Sequence, residues 1–290
     1  MAESDLLSFT VPCEMDGITV KNFLRKMGVS ARLLAQLKRT ENGITKNGSP
    51  VRSIDVLTCG DTLILTFPES SNSAVPVAMP LDILYEDCNV IAVNKPPSMP
   101  VHPSGGHLYD TLANAVAAHA EKQGEKYAFR AVNRLDKDTS GIVLMAKNRY
   151  AAAWLSNTVA KSYIALCEGI IYGSGTISAP IGIKPGHTVQ REVSPSGESA
   201  VTHYRAVKSA YGHTALSIVL DTGRTHQIRV HFSSIGHPLA GDDMYGGSRR
   251  YFSRQCLHCA EMSFLLPFSN DTVVLNAQSD DWLGYLESIV

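Results

Sequence analysis

Short β-rich runs fill most of this chain after residue 81, and they restrict the folds open to it more than any other feature. Gly141–Lys147, Ser162–Ile171, Ala200–Val207, Thr214–Asp221 and Val273–Gln278 are apolar or alternating segments of strand length. Ile83–Tyr85 and Val90–Val93, joined by Glu86-Asp87-Cys88-Asn89, read as a β-hairpin. Helical patterns are fewer. Asp110 is expected to cap a helix over TLANAVAAHAEK, and Asn148–Val159 reads as another. Dominant strands with scattered helices predict an α+β fold built on a mixed, mostly antiparallel sheet. No internal repeat is visible.

A smaller α+β unit precedes this region. Val20, Phe23 and Leu24, then Leu33, Leu34 and Leu37, recur at helical spacing and predict two short helices, with Ser30 capping the second. Asn42-Gly43 and Asn47-Gly48 are turn dipeptides on either side of a short strand, Ile44–Lys46. Gly60-Asp61 leads into the alternating strand TLILTF. The small, polar, proline-bearing ESSNSAVPVAMP that follows marks a boundary. The expected organisation is a small domain over residues 1–70, a linker over 71–80 and a large domain over 81–290.

Composition narrows the function classes. Hydrophobic residues make up 44% and charged residues 18% of the 290, which is enough for a sizeable core and argues against disorder. No apolar run approaches the roughly 18 residues of a membrane span. The N-terminus MAESDLLSFTVPCEMDG is acidic and interrupted, unlike a signal peptide, so a cytoplasmic protein is expected. The six cysteines are dispersed and are expected to be reduced core residues. Cys256 and Cys259 form a C-x-x-C, but a structural zinc site usually takes two such pairs and there is no second, so no metal is expected. The net charge is only −1, yet between residues 17 and 54 Lys21, Arg25, Lys26, Arg32, Lys38, Arg39, Lys46 and Arg52 face a single acid, Glu41. That stretch is either a basic nucleic-acid face or a set of solvated helix surfaces.

Two segments carry candidate chemistry. Asn133-Arg134-Leu135-Asp136-Lys137-Asp138-Thr139-Ser140-Gly141 packs acids, bases, hydroxyls and a glycine ahead of a buried strand. A loop holding a reactive group over a sheet has this form, and so does an ordinary solvated turn. The second runs from Asp221 through Arg224, His226, Arg229 and His231 to His237, Gly241-Asp242 and Tyr245-Gly246. Arginines 224 and 229 in an apolar, β-like frame require an anionic partner, whether a carboxylate of this chain, an RNA phosphate or both. His226, His231 and His237 lack metal-site spacing and read as hydrogen-bonded structural residues.

These segments resemble the signature motifs of the RluA/RluD family of pseudouridine synthases. The blocks ILYEDCNVIAVNKPPSMPVHPSGG, NRLDKDTSGIVLMAK, KSYIALCEG and DTGRTHQIRVHFSSIGHPLAGDDMYG occur in the family's order, and CLHCAEMSFLLP resembles its closing element. The N-terminal unit is similar to the S4-like RNA-binding domain that many members carry. The resemblance spans almost the whole chain.

The resemblance implies an isomerase that flips a uridine out of structured RNA, detaches uracil from N1, rotates it and rejoins it through C5. Asp136 would be the reacting carboxylate, Arg229 its cationic partner and Tyr163 the aromatic stacked on the target base. A cation at contact distance would keep the carboxylate ionised, and a protonated acid is a poor nucleophile. Arg134 would take the place vacated by the flipped nucleotide, Leu257 would floor the base pocket, and Arg224 would contact phosphate or the framework. Lys21, Arg25, Lys26, Arg32, Lys38 and Arg39 would dock RNA, with ribosomal RNA favoured over transfer RNA. The reaction needs no cofactor or metal, and a monomer is expected. The chain departs from the family in having Asn133 where histidine is usual, which implies altered substrate or loop contacts, and in a short stretch between Lys147 and Lys161. The competing readings are a catalytically inactive RNA-binding or remodelling protein and a metal-dependent hydrolase.

Overall fold

The computed structural model describes residues 6–67, 74–125, 128–156, 158–267, 269, 271–278, 282 and 285. Four strands open the chain: β1 (Leu6–Thr10), β2 (Ile44–Lys46), β3 (Ser49–Pro50) and β4 (Thr62–Thr66). They form an antiparallel sheet in the order β1-β4-β2-β3. Helices α1 (Val20–Lys26) and α2 (Ala31–Leu37) bury Val20, Phe23, Leu24, Leu33, Leu34 and Leu37 in one cluster with the strand residues Phe9, Ile44, Leu63 and Leu65. Ser30 caps α2, its hydroxyl accepting the Leu33 N–H at 3.2 Å. Asn42 and Asn47 take the left-handed backbone that their turn positions require.

The cysteine expectation is corrected here. Cys13 and Cys59 are joined as a disulfide, while Cys88, Cys167 and Cys259 are free thiols. The chain brings the two together because Val11 and the turn before β4 exchange backbone hydrogen bonds, Val11 N–H to Asp61 O and Gly60 N–H to Val11 O. A separation of 46 residues in sequence hid that pairing.

Of the expected linker, 71–73 lie outside the described residues, and 74–80 carry no regular element. This segment is tied to the large unit, since the Asn114 side-chain amide donates to Val75 O. The large unit then runs β5 (Asp82–Glu86), β6 (Val90–Lys95), α3 (Leu112–Lys122), β7 (Arg130–Ala131), β8 (Ser140–Ala146), α4 (Arg149–Leu155), β9 (Ala160–Glu168) and β10 (Ser174–Ser178). It continues with β11 (Ile181–Ile183), β12 (Arg191–Val193), β13 (Val201–Ala210), β14 (His213–Leu220), α5 (Gln227–Ser234), β15 (Leu257–Leu265) and β16 (Thr272–Asn276). Its main sheet has ten strands along the path β10-β13-β14-β9-β15-β8-β6-β5, with β16 added on β15 and β7 on β8. Among the described residues only β15 against β8 is parallel, so the expected mixed, mostly antiparallel α+β fold is what forms. β11 and β12 pair as a separate ribbon.

Local expectations were displaced in three places. Thr111, not Asp110, caps α3, in a capping box with Asn114, while Asp110 pairs with His107. The helix expected over 148–159 stops at Leu155. The β-like frame around Arg229 is the helix α5. Ile228, Val230 and Phe232 alternate as in a strand, but Gln227 through Phe232 are all buried, and a helix buried on every side carries no 3.6-residue apolar period to read.

Strand order positions the site. β15, from the far end of the chain, enters between β8 and β9, with His258 opposite Ser140 and Cys259 opposite Tyr163. The loop that precedes β8 therefore ends beside the start of β15 and the middle of β9. Gly141 permits this approach: it has φ +110°, and a Cβ there would lie 2.3 Å from the Cys259 carbonyl oxygen. β6 and β8 are buried almost throughout, and each fully buried Val, Leu or Ile contributes about 1.5–3 kcal/mol to holding this frame.

The short stretch after Lys147 forms the contact between the two units. Tyr150 of α4 belongs to the N-terminal cluster and donates its hydroxyl to Met27 O at 2.5 Å. Trp154 lies against Gly28 on one side and donates to Leu265 O at 3.0 Å on the other.

Candidate active site

Residues 133–139 form the irregular segment between β7 and β8. Leu135 is buried in the main core, so its neighbours Arg134 and Asp136 turn outward, Arg134 exposed and Asp136 partly so. Both line a cavity of about 310 Å³ with His102, Tyr163, Arg224, His226, Arg229 and Leu257, near the lower end of the size range of small-molecule clefts. The residues expected around the reacting carboxylate thus share one pocket, although they come from β9, α5, the start of β15 and two loops.

Asp136 Oδ2 receives the Arg229 Nη1–H at 3.0 Å and lies 3.7 Å from His226 Nε2. Arg229 is in turn gripped by Asp242, Nε to Oδ2 at 2.7 Å and Nη2 to Oδ1 at 2.8 Å, and its guanidinium lies over the Tyr245 ring at 4.9 Å. Burial acts to lower the pKa of Arg229, but the paired carboxylates of Asp242 and Asp136 outweigh it, so the guanidinium is held still more firmly charged. The anionic partner that the buried arginine requires is a carboxylate of this chain, in fact two.

Tyr163 is both a core residue and a pocket wall. It is 6% exposed, and burial pushes its phenol well up, assisted by the Cys259 thiol to which it hydrogen-bonds. It therefore stays a neutral ring, as a stacking surface requires. Leu257, 5% exposed, supplies an apolar wall at the first residue of β15.

Two of the pocket-lining residues, Asn133 and Arg224, have framework partners. Asn133 is buried, and its amide is held by β8, Nδ2 donating to Ile142 O at 3.0 Å and Oδ1 accepting the Leu144 N–H at 2.8 Å. These bonds fix the start of the loop that carries Asp136, and Asn133 also lines the pocket. Arg224 donates to Ser199 O at 3.1 Å and pairs with Glu198, which agrees with the framework reading. Lys21, Arg25, Lys26, Arg32, Lys38 and Arg39 are all exposed on or beside α1 and α2, and none of them lines this pocket.

Sequence reading missed what holds the loop from below. Lys95, fully buried at the end of β6, donates to Pro96 O at 2.7 Å and to Lys137 O at 3.0 Å. Burial lowers its pKa to about 7, and the Arg254 charge adds to that. Arg254 donates to Asp138 O at 3.0 Å and to Ser140 Oγ at 3.1 Å. Lysine closing the apolar run VIAVN was a readable signal; Arg254 offered none, since Asp138 O and Ser140 Oγ lie 116 and 114 residues away in sequence. The histidines are occupied by protein groups: His231 binds Thr202 Oγ1 and Ala179 O, His237 binds Glu168 O, and His258 binds Ser140 Oγ and Ala277 O. Among the described residues, no three His, Cys, Asp or Glu side chains cluster as metal ligands, and no helix is long and apolar enough to cross a membrane.

Comparison with known proteins matches this architecture. The family model described as RNA pseudouridylate synthase matches residues 89–234. The chain is 40% identical over 268 residues to a Bacillus subtilis protein named uncharacterized RNA pseudouridine synthase YjbO, covering 90% of this chain and 95% of that one. It is 34% identical over 307 residues to ribosomal large subunit pseudouridine synthase D of Neisseria meningitidis serogroup A, covering 98% and 82%. Among solved structures, human RNA pseudouridylate synthase domain containing 1 superposes with a TM-score of 0.58 at 26% identity, over 76% of this chain and 90% of that one. Fold, motif order and these relatives agree: the chain belongs to the RNA pseudouridylate synthase family, as its resemblance to the RluA/RluD members implied.

Proposed function

We propose that this enzyme isomerises selected uridines of structured ribosomal RNA to pseudouridine, with Asp136 as the reacting carboxylate. The observation that carries the reading is the partly exposed Asp136 carboxylate, held at 3.0 Å by a buried arginine inside a pocket walled by Tyr163 and Leu257. A flipped uracil entering there would stack on Tyr163, with its ribose toward Asp136 and Arg134 at the mouth filling the gap in the RNA. Isomerisation exchanges one glycosidic bond for another on the same sugar and involves no net redox change, so neither metal nor cofactor is required. Arg229 keeps a negative charge stable where the glycosidic bond breaks.

The N-terminal unit acts as an S4-like docking domain, its six exposed cations on and beside α1 and α2 contacting phosphate. Ribosomal RNA is favoured because relatives such as the Neisseria meningitidis protein bear the name ribosomal large subunit pseudouridine synthase D. The enzyme works in the cytoplasm as a monomer.

The test maps pseudouridine across cellular RNA with and without the gene, by a chemical label that stalls reverse transcription. Sites lost on deletion should return with the wild-type gene and not with Asp136→Asn, while the purified variant still binds the RNA. If no site changes and purified protein leaves RNA unmodified, the reading fails in favour of a non-catalytic RNA-binding protein.

A further inference from the structure

One short segment supports both groups that face Asp136. Asp242 fixes Arg229 from behind, and Tyr245, on the 3₁₀ turn Asp243–Tyr245, underlies the same guanidinium. The Tyr245 hydroxyl also lies 2.8 Å from His226 Nδ1 and receives the Arg191 backbone N–H at 2.9 Å. A backbone N–H only donates, so the Tyr245 oxygen accepts from Arg191. Its own proton then finds its acceptor, among the described residues, in His226 Nδ1, which places the neutral ring's proton on Nε2.

That Nε2–H faces Asp136 Oδ2 at 3.7 Å. The ring is set there by a left-handed backbone: His226 precedes α5 with φ 58° and ψ 19°, a conformation uncommon for a residue other than glycine, and it makes no side-chain cap. Burial favours the neutral imidazole, and the charged groups around it are Asp136, Arg229, Asp242 and Arg191. A distance of 3.7 Å is longer than a formed hydrogen bond, but contacts of this kind commonly tighten when substrate fills the site.

We propose that His226, locked by Tyr245 as the Nε2–H tautomer, is a positioning residue that donates to Asp136 in the substrate complex and, with Arg229, aims its carboxylate at the sugar. The proposal rests on the synthase reading above. It assigns the ring as a donor and not as the base that removes the C5 proton, because the nitrogen facing the pocket is already protonated.

Nitrogen NMR of the histidine-labelled protein should find His226 as the Nε2–H tautomer, shifting to a tautomer mixture in Tyr245→Phe. Single-turnover assays on the target RNA, with affinity measured separately, should show His226→Ala slowed about 10–100-fold at unchanged RNA affinity, less than the roughly 100–1,000-fold of a lost oxyanion-hole donor because Arg229 still holds Asp136. His226→Gln, which returns an N–H near the Nε2 position, should recover most of that rate. An Nδ1–H tautomer in the wild type, a full rate in His226→Ala, or equal loss in His226→Ala and His226→Gln would each overturn the assignment. Wild-type protein that makes no pseudouridine would instead overturn the synthase reading, and the tautomer measurement is independent of that result.

Discussion

Arg229 closes on Asp242 through two hydrogen bonds, Nε to Oδ2 at 2.7 Å and Nη2 to Oδ1 at 2.8 Å, which leaves Nη1 for Asp136. Asp242 is 1% exposed, so this is a buried fork-to-carboxylate pair that orients the cation as well as neutralising it. Removing Asp242 leaves the buried Arg229 with Asp136 alone as counter-charge. Asp242→Asn is therefore expected to lower unfolding stability by about 3–5 kcal/mol, read from denaturant midpoints. Arg229→Lys retains the charge but cannot bind both carboxylates in the same plane. It should lose less stability and still slow single turnover at least tenfold, so the two variants separate folding from alignment.

Lys95 makes a pH-dependent prediction. Folded Lys95 releases its proton near pH 7 because of burial, whereas the unfolded residue holds it to about 10.5. Across that window the unfolded chain binds more protons, so this residue's contribution to stability rises with pH and is least favourable below pH 7. Thermal melts should show wild type gaining on Lys95→Met as pH is raised from about 7 to 10, by up to a few kcal/mol. A constant difference across that range would mean that Lys95 does not titrate there. Activity of Lys95→Met should fall at every pH, since the Pro96 and Lys137 carbonyls that frame Asp136 lose their common donor.

The parts of this architecture that were legible in sequence were those governed by local periodicity and turn chemistry. α1, α2, β2 and the β5–β6 hairpin follow from apolar spacing and Asn-Gly turns, and Ser30 caps where a hydroxyl before an apolar-periodic run should. That Asp136, Tyr163 and Arg229 share one pocket follows motif order, which records a spatial arrangement that spacing alone cannot. Contacts made by long-range backbone were illegible. Arg254 reaches Asp138 O across 116 residues, and the Cys13–Cys59 link spans 46. α5 was misread because burial on all sides removed the signal that separates a helix from a strand.

Asn133 tests whether a departure at a motif position alters substrate contact or the frame. Its amide satisfies Ile142 O and Leu144 N–H inside β8. Asn133→Ala leaves both without that partner, at a cost of about 1–3 kcal/mol, visible as a lower melting temperature. RNA affinity should be unchanged. A variant of wild-type stability with weakened RNA binding would return Asn133 to the substrate side.

The basic face of the N-terminal unit predicts a salt dependence. Lys21, Arg25, Lys26, Arg32, Lys38 and Arg39 are exposed, and among the described residues none of them is in an ion pair with a carboxylate of this chain. Positive side chains without acidic partners are either merely solvated or reserved for phosphate, and affinity at a single salt concentration cannot separate the two. The slope of log affinity against log salt can, because each phosphate contact releases condensed counterions and contributes about 0.7–0.9 to it. Replacing Lys21, Arg25 and Lys26 together with glutamine should flatten the slope by about 2 if all three contact phosphate, with the Arg32, Lys38 and Arg39 set behaving alike. The loss should appear in KM for RNA and not in the rate of the bound complex, since none of these residues lines the pocket that holds Asp136. An unchanged slope for both sets would leave the two helices as solvated surface and move the docking role elsewhere on the chain.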